Sequence, residues 1–190
     1  MFFFSALGAF NGVVLGIYFI FFTRPKHISN TFFGVFLLML SIRIGKSVFF
    51  HFNPDLSFHY LQFGLTACLF VGPFLYFYVR SIQSTKLQSY TAWKYHLLIL
   101  IPLALLVGYM YPFKTNIGLW RPYIIKTIYI VWFIYILLSA YTIKERISTI
   151  FNPRSKTESL DIWIISLLIG NILLVFAYYF TSFVNYISGA

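Results

Sequence analysis

The run TFFGVFLLMLSIRIGKSVFFHF, residues 31–52, is apolar for long enough to cross a lipid bilayer, yet it contains Arg43 and Lys46. About 20 apolar residues in a helix span the roughly 30 Å hydrocarbon core of a membrane. An arginine that faces lipid near the middle of that core costs at least about 2.5–3.5 kcal/mol. The fold must therefore give these two cations surroundings other than hydrocarbon.

The composition of the whole chain agrees with a membrane protein. Of its 190 residues, 60% are hydrophobic and only 9% are charged, and the mean hydropathy is +0.82. Soluble domains are about 25% charged, so this chain has too few polar residues to cover a water-soluble domain. The net charge of +10 lies mainly in short connections between apolar runs, which is typical of membrane orientation rather than of nucleic-acid binding.

Six apolar runs are long enough to be transmembrane helices. They are approximately residues 2–22, 31–51, 58–80, 94–111, 123–142 and 161–183. These runs are continuously apolar rather than alternating, which favours helices over the strands of a membrane barrel. The sequence therefore predicts an all-α, polytopic transmembrane bundle of six helices that forms a single integral membrane domain over residues 1–190.

The basic residues are distributed unequally between the two sides of this predicted bundle. Nine lie in or beside the connections after the first, third and fifth runs, and three lie on the other side. The nine are Arg24, Lys26, Arg80, Lys86, Lys94, Lys144, Arg146, Arg154 and Lys156, and the three are Lys114, Arg121 and Lys126. Because the cytoplasmic side carries the excess of lysine and arginine, we expect the N-terminus to be outside. An even number of spans then places residue 190 outside as well.

Small residues form two ridges at helical spacing. The first run contains Gly8, Gly12 and Gly16, and the third contains Gly64, Cys68 and Gly72. Such ridges let helix backbones approach each other closely in lipid. We expect them to pack within the bundle, and a homodimer face is the alternative. Pro73 follows the second ridge directly, and because proline removes a backbone hydrogen bond we expect a kink and a hinge there.

Arg43 and Lys46 are three residues apart and therefore share one face of the second helix. Counted inward from His51, Lys46 is about 8 Å deep and Arg43 about 12 Å deep at roughly 1.5 Å per residue. We expect Lys46 to reach toward the outer surface, with Asp55 as its nearest acid. Arg43 is expected to face the bundle interior, toward the first or third helix.

The chain has only four acids, and only Asp55 is expected in the outer half beside these cations. Arg43 must then bind a backbone carbonyl such as that of Leu69, an Asn or Tyr side chain, or a bound anion. Two interpretations remain, an internal hydrogen-bonded clamp and a site for an anionic ligand or lipid headgroup. The candidate ligand-binding residues are Arg43, Lys46, Asp55 and Asn11, whose amide lies near the middle of the first run, where no water is available.

The sequence offers little for catalysis. Hydrolysis inside a membrane needs a metal motif, paired carboxylates or an activated nucleophile, and none of the six runs has an acid near its centre. The four histidines lie at helix ends or in loops, without the spacing of a metal site. We therefore expect a protein that is not an enzyme and that has no metal or cofactor.

Three stretches of the chain resemble one known family. They are FFSALGAFNGVVLGIYF (3–19), LSIRIGKSVFF (40–50) and LTACLFVGPFLYFYVRS (65–81), and they are similar to the membrane-embedded N-terminal region of bacterial AraC-type regulators. In that family a multi-span domain, typically of seven helices, precedes a cytoplasmic helix-turn-helix DNA-binding domain. The DNA-binding domain and a complete seventh span are not found within residues 1–190.

The resemblance implies a sensor or anchor domain of a transcriptional regulator in the bacterial inner membrane. The seventh helix is then truncated, and the protein contacts DNA only through a domain that follows residue 190. The expected partners are the lipid bilayer, an anionic ligand or lipid, and a second copy of the chain. A small transporter or channel subunit is the alternative function.

The predicted orientation can be tested with single cysteines at Ser29, Ser84 and Ser155, introduced after Cys68 has been replaced. All three positions lie on the basic side, so an impermeant thiol reagent should not label them on intact cells. Labelling of all three from outside would show that the bundle is inserted the other way round.

Overall fold

The computed structural model describes residues 2–53, 55, 57–83, 91–144 and 159–188, and in these residues it contains six long helices and no strand. They are α1 (Phe2–Phe21), α2 (Ile28–Phe52), α3 (Phe58–Gln83), α4 (Ala92–Met110), α5 (Ile117–Thr142) and α6 (Ser159–Ser188). Each contains a segment that is long and apolar enough to cross a membrane. The predicted all-α, multi-pass fold is confirmed.

The largest difference from the predicted spans is at the start of α5, which begins at Ile117 rather than near residue 123. A π-helical turn at Trp120–Ile124 carries the helix past Pro122, which has no backbone N–H to donate. Trp120 holds this early turn in place. Its ring is only 2% exposed, and its indole N–H donates to the Tyr111 carbonyl at 2.7 Å.

The central helix is α3, which packs against both α2 and α5 and contributes the most buried residues. Its fully buried side chains include Val71, Leu75 and Phe77. Around it lie Phe36 of α2 and Trp132 of α5, each 1% exposed. Since few polar groups enter this core, close packing of apolar side chains accounts for most of the contact between helices.

The outer helices are held differently. None of the residues of α4 is fully buried, and side-chain hydrogen bonds fasten it to its neighbours. Gln62 Nε2 of α3 donates to the Gly108 carbonyl at 2.9 Å, and His96 Nδ1 lies 2.8 Å from the hydroxyl of Tyr135 on α5. These hydrogen bonds hold α4 in position although little of its surface is buried.

The ridge on α1 lies only partly against the bundle. A methyl group at Gly16 would lie 2.9 Å from the Gly34 carbonyl oxygen of α2, and one at Gly12 would collide with the Ser41 hydroxyl. Gly12 and Gly16 therefore permit the close crossing of α1 and α2. Gly8 has no neighbouring atom within 4 Å of such a methyl group, so it lies outside this contact.

The ridge on α3 lies wholly inside the bundle. A methyl group at Gly72 would lie 2.9 Å from the Cα atom of Trp132, which brings α3 and α5 together. At Gly64 the neighbour is the side chain of Lys46. The helix continues through Pro73, which is buried, so the expected hinge position is packed in the core.

Candidate functional site

Arg43 points into the bundle. Its Nη2 donates to the Tyr129 hydroxyl of α5 at 2.7 Å, and its Nη1 donates to Ser47 Oγ, one turn along α2, at 3.3 Å. The thiol of Cys68 on α3 also faces the guanidinium. The structure thus places Arg43 against α3, as expected, and against α5, which sequence reasoning did not single out.

Tyr129 is itself held from the far side. Its ring stacks on that of Tyr178 of α6, with ring centroids 3.6 Å apart and planes inclined by 2°. Tyr129 is only 3% exposed, so its hydroxyl has no access to bulk solvent. We call Arg43, Ser47, Cys68, Tyr129 and Tyr178 the Arg43 cluster.

The side chains of the Arg43 cluster come from four helices and carry one positive charge between them. Within the part of the chain that the structure describes, no carboxylate is among the groups that act on Arg43 or Lys46. The guanidinium is therefore stabilised by neutral hydroxyl and thiol groups alone. Such an arrangement leaves a net positive potential inside the bundle, which attracts an anion.

A cleft of about 260 Å³ adjoins the Arg43 cluster. It runs between α2, α5 and α6 and is lined by Leu40, Arg43, Ile44, Trp132, Leu174, Ala177, Tyr178 and Thr181. The guanidinium thus borders an open space as well as its hydrogen-bond partners. The geometry combines the two interpretations of Arg43, because a clamp and a place for an anion coexist.

Lys46 differs from the expectation that it simply reaches toward the outer surface. Its side chain is half-buried, and a methyl group at Gly64 would lie 2.6 Å from both Cβ and Cδ of Lys46. The aliphatic part of the lysine therefore lies flat across α3, where only glycine leaves room. Lys46 also lines an apolar groove of about 410 Å³ between α1, α2 and α3.

Two of the four candidate residues lie apart from the cations. Asp55 is exposed in the connection between α2 and α3, where its backbone N–H donates to Asn53 Oδ1 at 3.2 Å. It is not among the groups that act on Lys46. Asn11 is exposed on α1 and does not line the groove beside Lys46. The structure therefore brings together Arg43 and Lys46 only.

Sequence reasoning did not identify Tyr129 or Tyr178, and it assigned Cys68 only an inert packing role. Tyr129 lies in TIYIVWFIYIL, residues 127–137, where aromatic residues are so frequent that none stands out. Only an indirect indication pointed to a tyrosine as the partner of Arg43. An arginine at mid-depth without an acid needs neutral acceptors, and tyrosine is the hydroxyl-bearing residue that apolar spans tolerate best.

The residues of the site are suited to holding an anion. Among the described residues, no group of three or more His, Cys, Asp or Glu side chains could hold a metal ion. The Arg43 cluster contains hydrogen-bond donors and a fixed positive charge, and it has no acid paired with a base. It can therefore bind and orient an anionic group.

Fold and site together define a multi-pass helical membrane protein with a buried cationic centre. No family model matches the chain, and neither a curated protein nor a solved structure matches it.

The hydrogen bond between Arg43 and Tyr129 should make a large contribution to stability. Tyr129→Phe removes the acceptor and leaves Nη2 of a partly buried guanidinium without this partner, so the free energy of unfolding should fall by about 1.5–3 kcal/mol. Titration of the purified protein with dodecyl sulfate, followed by circular dichroism, measures this change. Tyr123→Phe is the matched control, because Tyr123 lies on the same helix and is 65% exposed. Equal stability of the two variants would contradict a role for this bond.

Proposed function

We propose that residues 1–190 form the membrane-embedded sensor domain of a bacterial inner-membrane transcriptional regulator. In this proposal a seventh span after residue 190 returns the chain to the cytoplasm, where its helix-turn-helix DNA-binding domain lies. The observation that supports this proposal is the Arg43 cluster, in which one uncompensated positive charge contacts side chains of α2, α3 and α5 and is linked to α6 by the stacking of Tyr129 on Tyr178. An anion that binds there changes the forces on all four helices at once.

The packing of the bundle favours a sensor over a channel. Four side chains that are polar or charged are buried in the described part of the chain, namely Ser41, Ser139, Asp161 and Asn171. They are spread over α2, α5 and α6, whereas the core between them is filled by aromatic and aliphatic groups. Continuous conduction needs a polar path. A filled apolar core supports a domain that changes its packing in response to a ligand.

A small transporter or channel subunit is the second candidate. The cleft beside Arg43 favours it, because an open space bordered by a cation is a plausible place for a transported anion. Transport also requires access to this cleft from both sides of the membrane in turn. The filled apolar core gives this candidate weaker support than the sensor.

The ridge on α3 offers a route for a signal. Gly64, Cys68 and Gly72 are one turn apart and contact Lys46, the guanidinium of Arg43 and Trp132, respectively. Movement of either cation therefore acts on α3 along one face. The next residue is Pro73, where the backbone lacks one hydrogen bond. In the proposed mechanism α3 bends at this point and passes the change toward the cytoplasmic side.

The proposed sensor works as a homodimer through α1. Asn11 is exposed near the middle of α1, and Gly8, one turn away, has open space around it. Hydrocarbon cannot satisfy an amide, whereas a second copy related by a two-fold axis can supply a reciprocal amide. Gly8 lets the two α1 helices approach closely enough for that bond.

The regulator hypothesis is tested in the full reading frame. We expect the frame to encode a cytoplasmic helix-turn-helix domain and Arg43→Leu to change promoter occupancy, measured by chromatin immunoprecipitation at equal protein abundance. Arg24→Leu removes an exposed loop cation and should leave occupancy unchanged. If the frame encodes no DNA-binding domain, the sensor proposal is wrong and the transporter or channel takes its place.

The dimer is tested with Asn11→Leu in vesicles, using energy transfer between labelled copies. Interhelical hydrogen bonds contribute about 0.6–2 kcal/mol in membranes, so the dimerisation constant should fall about threefold to thirtyfold. Asn11→Gln, which keeps the amide, should retain most of the affinity. Thr127→Val removes another exposed polar group, one that bonds only to its own helix, and should have no effect. Unchanged dimerisation in Asn11→Leu would exclude this interface.

A further inference from the structure

The groove beside Lys46 opens toward the lipid. It is lined by residues 6–13 of α1, residues 41–49 of α2 and the first turns of α3. We call it the Lys46 groove; its lining includes Phe10, Gly45, Lys46, Phe49, Tyr60 and Phe63. The four aromatic rings in this set are each more than 60% exposed. They form the rim through which a molecule from the bilayer can enter.

The charge of the groove specifies the ligand class. Lys46 is the one cationic residue among its lining residues, which include no acid and are otherwise almost entirely apolar. The aliphatic part of Lys46 lies against Gly64 of α3, and the residue lines the groove. A long apolar group joined to one anionic group complements such a surface.

The depth of Lys46 favours a phosphate at the membrane surface. Lys46 is six residues from Phe52, the end of α2, or about 9 Å along the helix. If its side chain leaves the contact with Gly64 and extends toward Phe52, Lys46 can carry its ammonium over most of that distance. Tyr60, in the first turn of α3, lies at the same end of the groove and presents a hydroxyl group where tyrosines commonly meet headgroups.

We propose that the Lys46 groove binds an anionic phospholipid of the surrounding leaflet. One acyl chain lies in the groove, and the phosphate accepts hydrogen bonds from the Lys46 ammonium and the Tyr60 hydroxyl. The volume of about 410 Å³ lies in the usual range of ligand sites. The open side leaves the second acyl chain in the bilayer, so the protein covers only part of the lipid.

This inference adds a second ligand site to the proposed sensor, and it rests on that proposal for its consequence in signalling. The bound phosphate draws Lys46 toward the membrane surface. Lys46 lies across Gly64, one turn from Cys68 and the guanidinium of Arg43. The lipid therefore acts on the same face of α3 that the Arg43 cluster occupies.

Binding is measured by native mass spectrometry on the purified chain in neutral detergent. The probes are palmitoyl-oleoyl phosphatidylglycerol, phosphatidylcholine with the same acyl chains, and palmitate. The wild-type chain should bind phosphatidylglycerol about tenfold more tightly than phosphatidylcholine, since the choline cation neutralises the phosphate and repels the Lys46 ammonium. Lys46→Gln should remove this preference.

A second variant blocks the groove without disturbing the fold. Gly45 lines the groove and has no atom within 4 Å of an added methyl group, so Gly45→Leu fills the space and should reduce binding of both phospholipids. Two controls match these changes. Lys126→Gln removes an exposed cation of α5, and Gly170→Leu adds the same side chain on the open face of α6. Both controls should bind lipid as the wild type does.

Each outcome decides the proposal. Equal lipid binding in Lys46→Gln, Gly45→Leu and the wild type would mean that only non-specific boundary lipid is present, and the site would be rejected. Binding of palmitate that depends on Lys46, without binding of phosphatidylglycerol, would assign the groove to free fatty acids instead. This assay does not involve DNA, so a confirmed lipid site would stand even if the regulator proposal failed.

Discussion

The bundle depends on how one arginine is accommodated where there is no water. Arg43 keeps its charge in the core by donating to Tyr129 at 2.7 Å, and Tyr129 is held in turn by stacking on Tyr178. These contacts cross from α2 to α5 and on to α6, and Cys68 of α3 completes the surroundings. A guanidinium left in hydrocarbon is costly. Separating the four helices at this depth would therefore raise the free energy of the bundle considerably.

The second constraint is the close approach that small residues on α3 make possible. Gly64 accepts the aliphatic part of Lys46, and Gly72 accepts the backbone of Trp132. Any larger residue at these positions would push α2 or α5 outward and lengthen the contacts around Arg43. The small-residue ridge and the buried cation are thus parts of one arrangement, since the ridge sets the spacing that the hydrogen bonds require.

Hydropathy and charge were sufficient to predict the number and type of the helices, because long apolar runs have one stable conformation in lipid. They also placed Arg43 in the interior, since its depth left no alternative partner. Tyr129 could not be predicted as the partner of Arg43. Choosing one hydroxyl among many aromatic residues requires knowledge of the relative rotation of α2 and α5. The position of Lys46 was missed for a similar reason: its path depends on Gly64 of another helix. Asn11 was grouped with the cations by depth alone, and the rotation of α1 turns it away.

The proposed lipid signal also limits how far the two packings of the domain can differ in free energy. A ligand shifts an equilibrium only by the ratio of its affinities for the two states, and one contact between a phosphate and Lys46 supplies about a tenfold ratio. Moving a population from 1:99 to 99:1 needs a ratio of about ten thousand. A sensor that uses the Lys46 groove must therefore have two packings of nearly equal free energy. Pairing through α1 eases this requirement, because two grooves that switch together multiply their ratios to about a hundredfold.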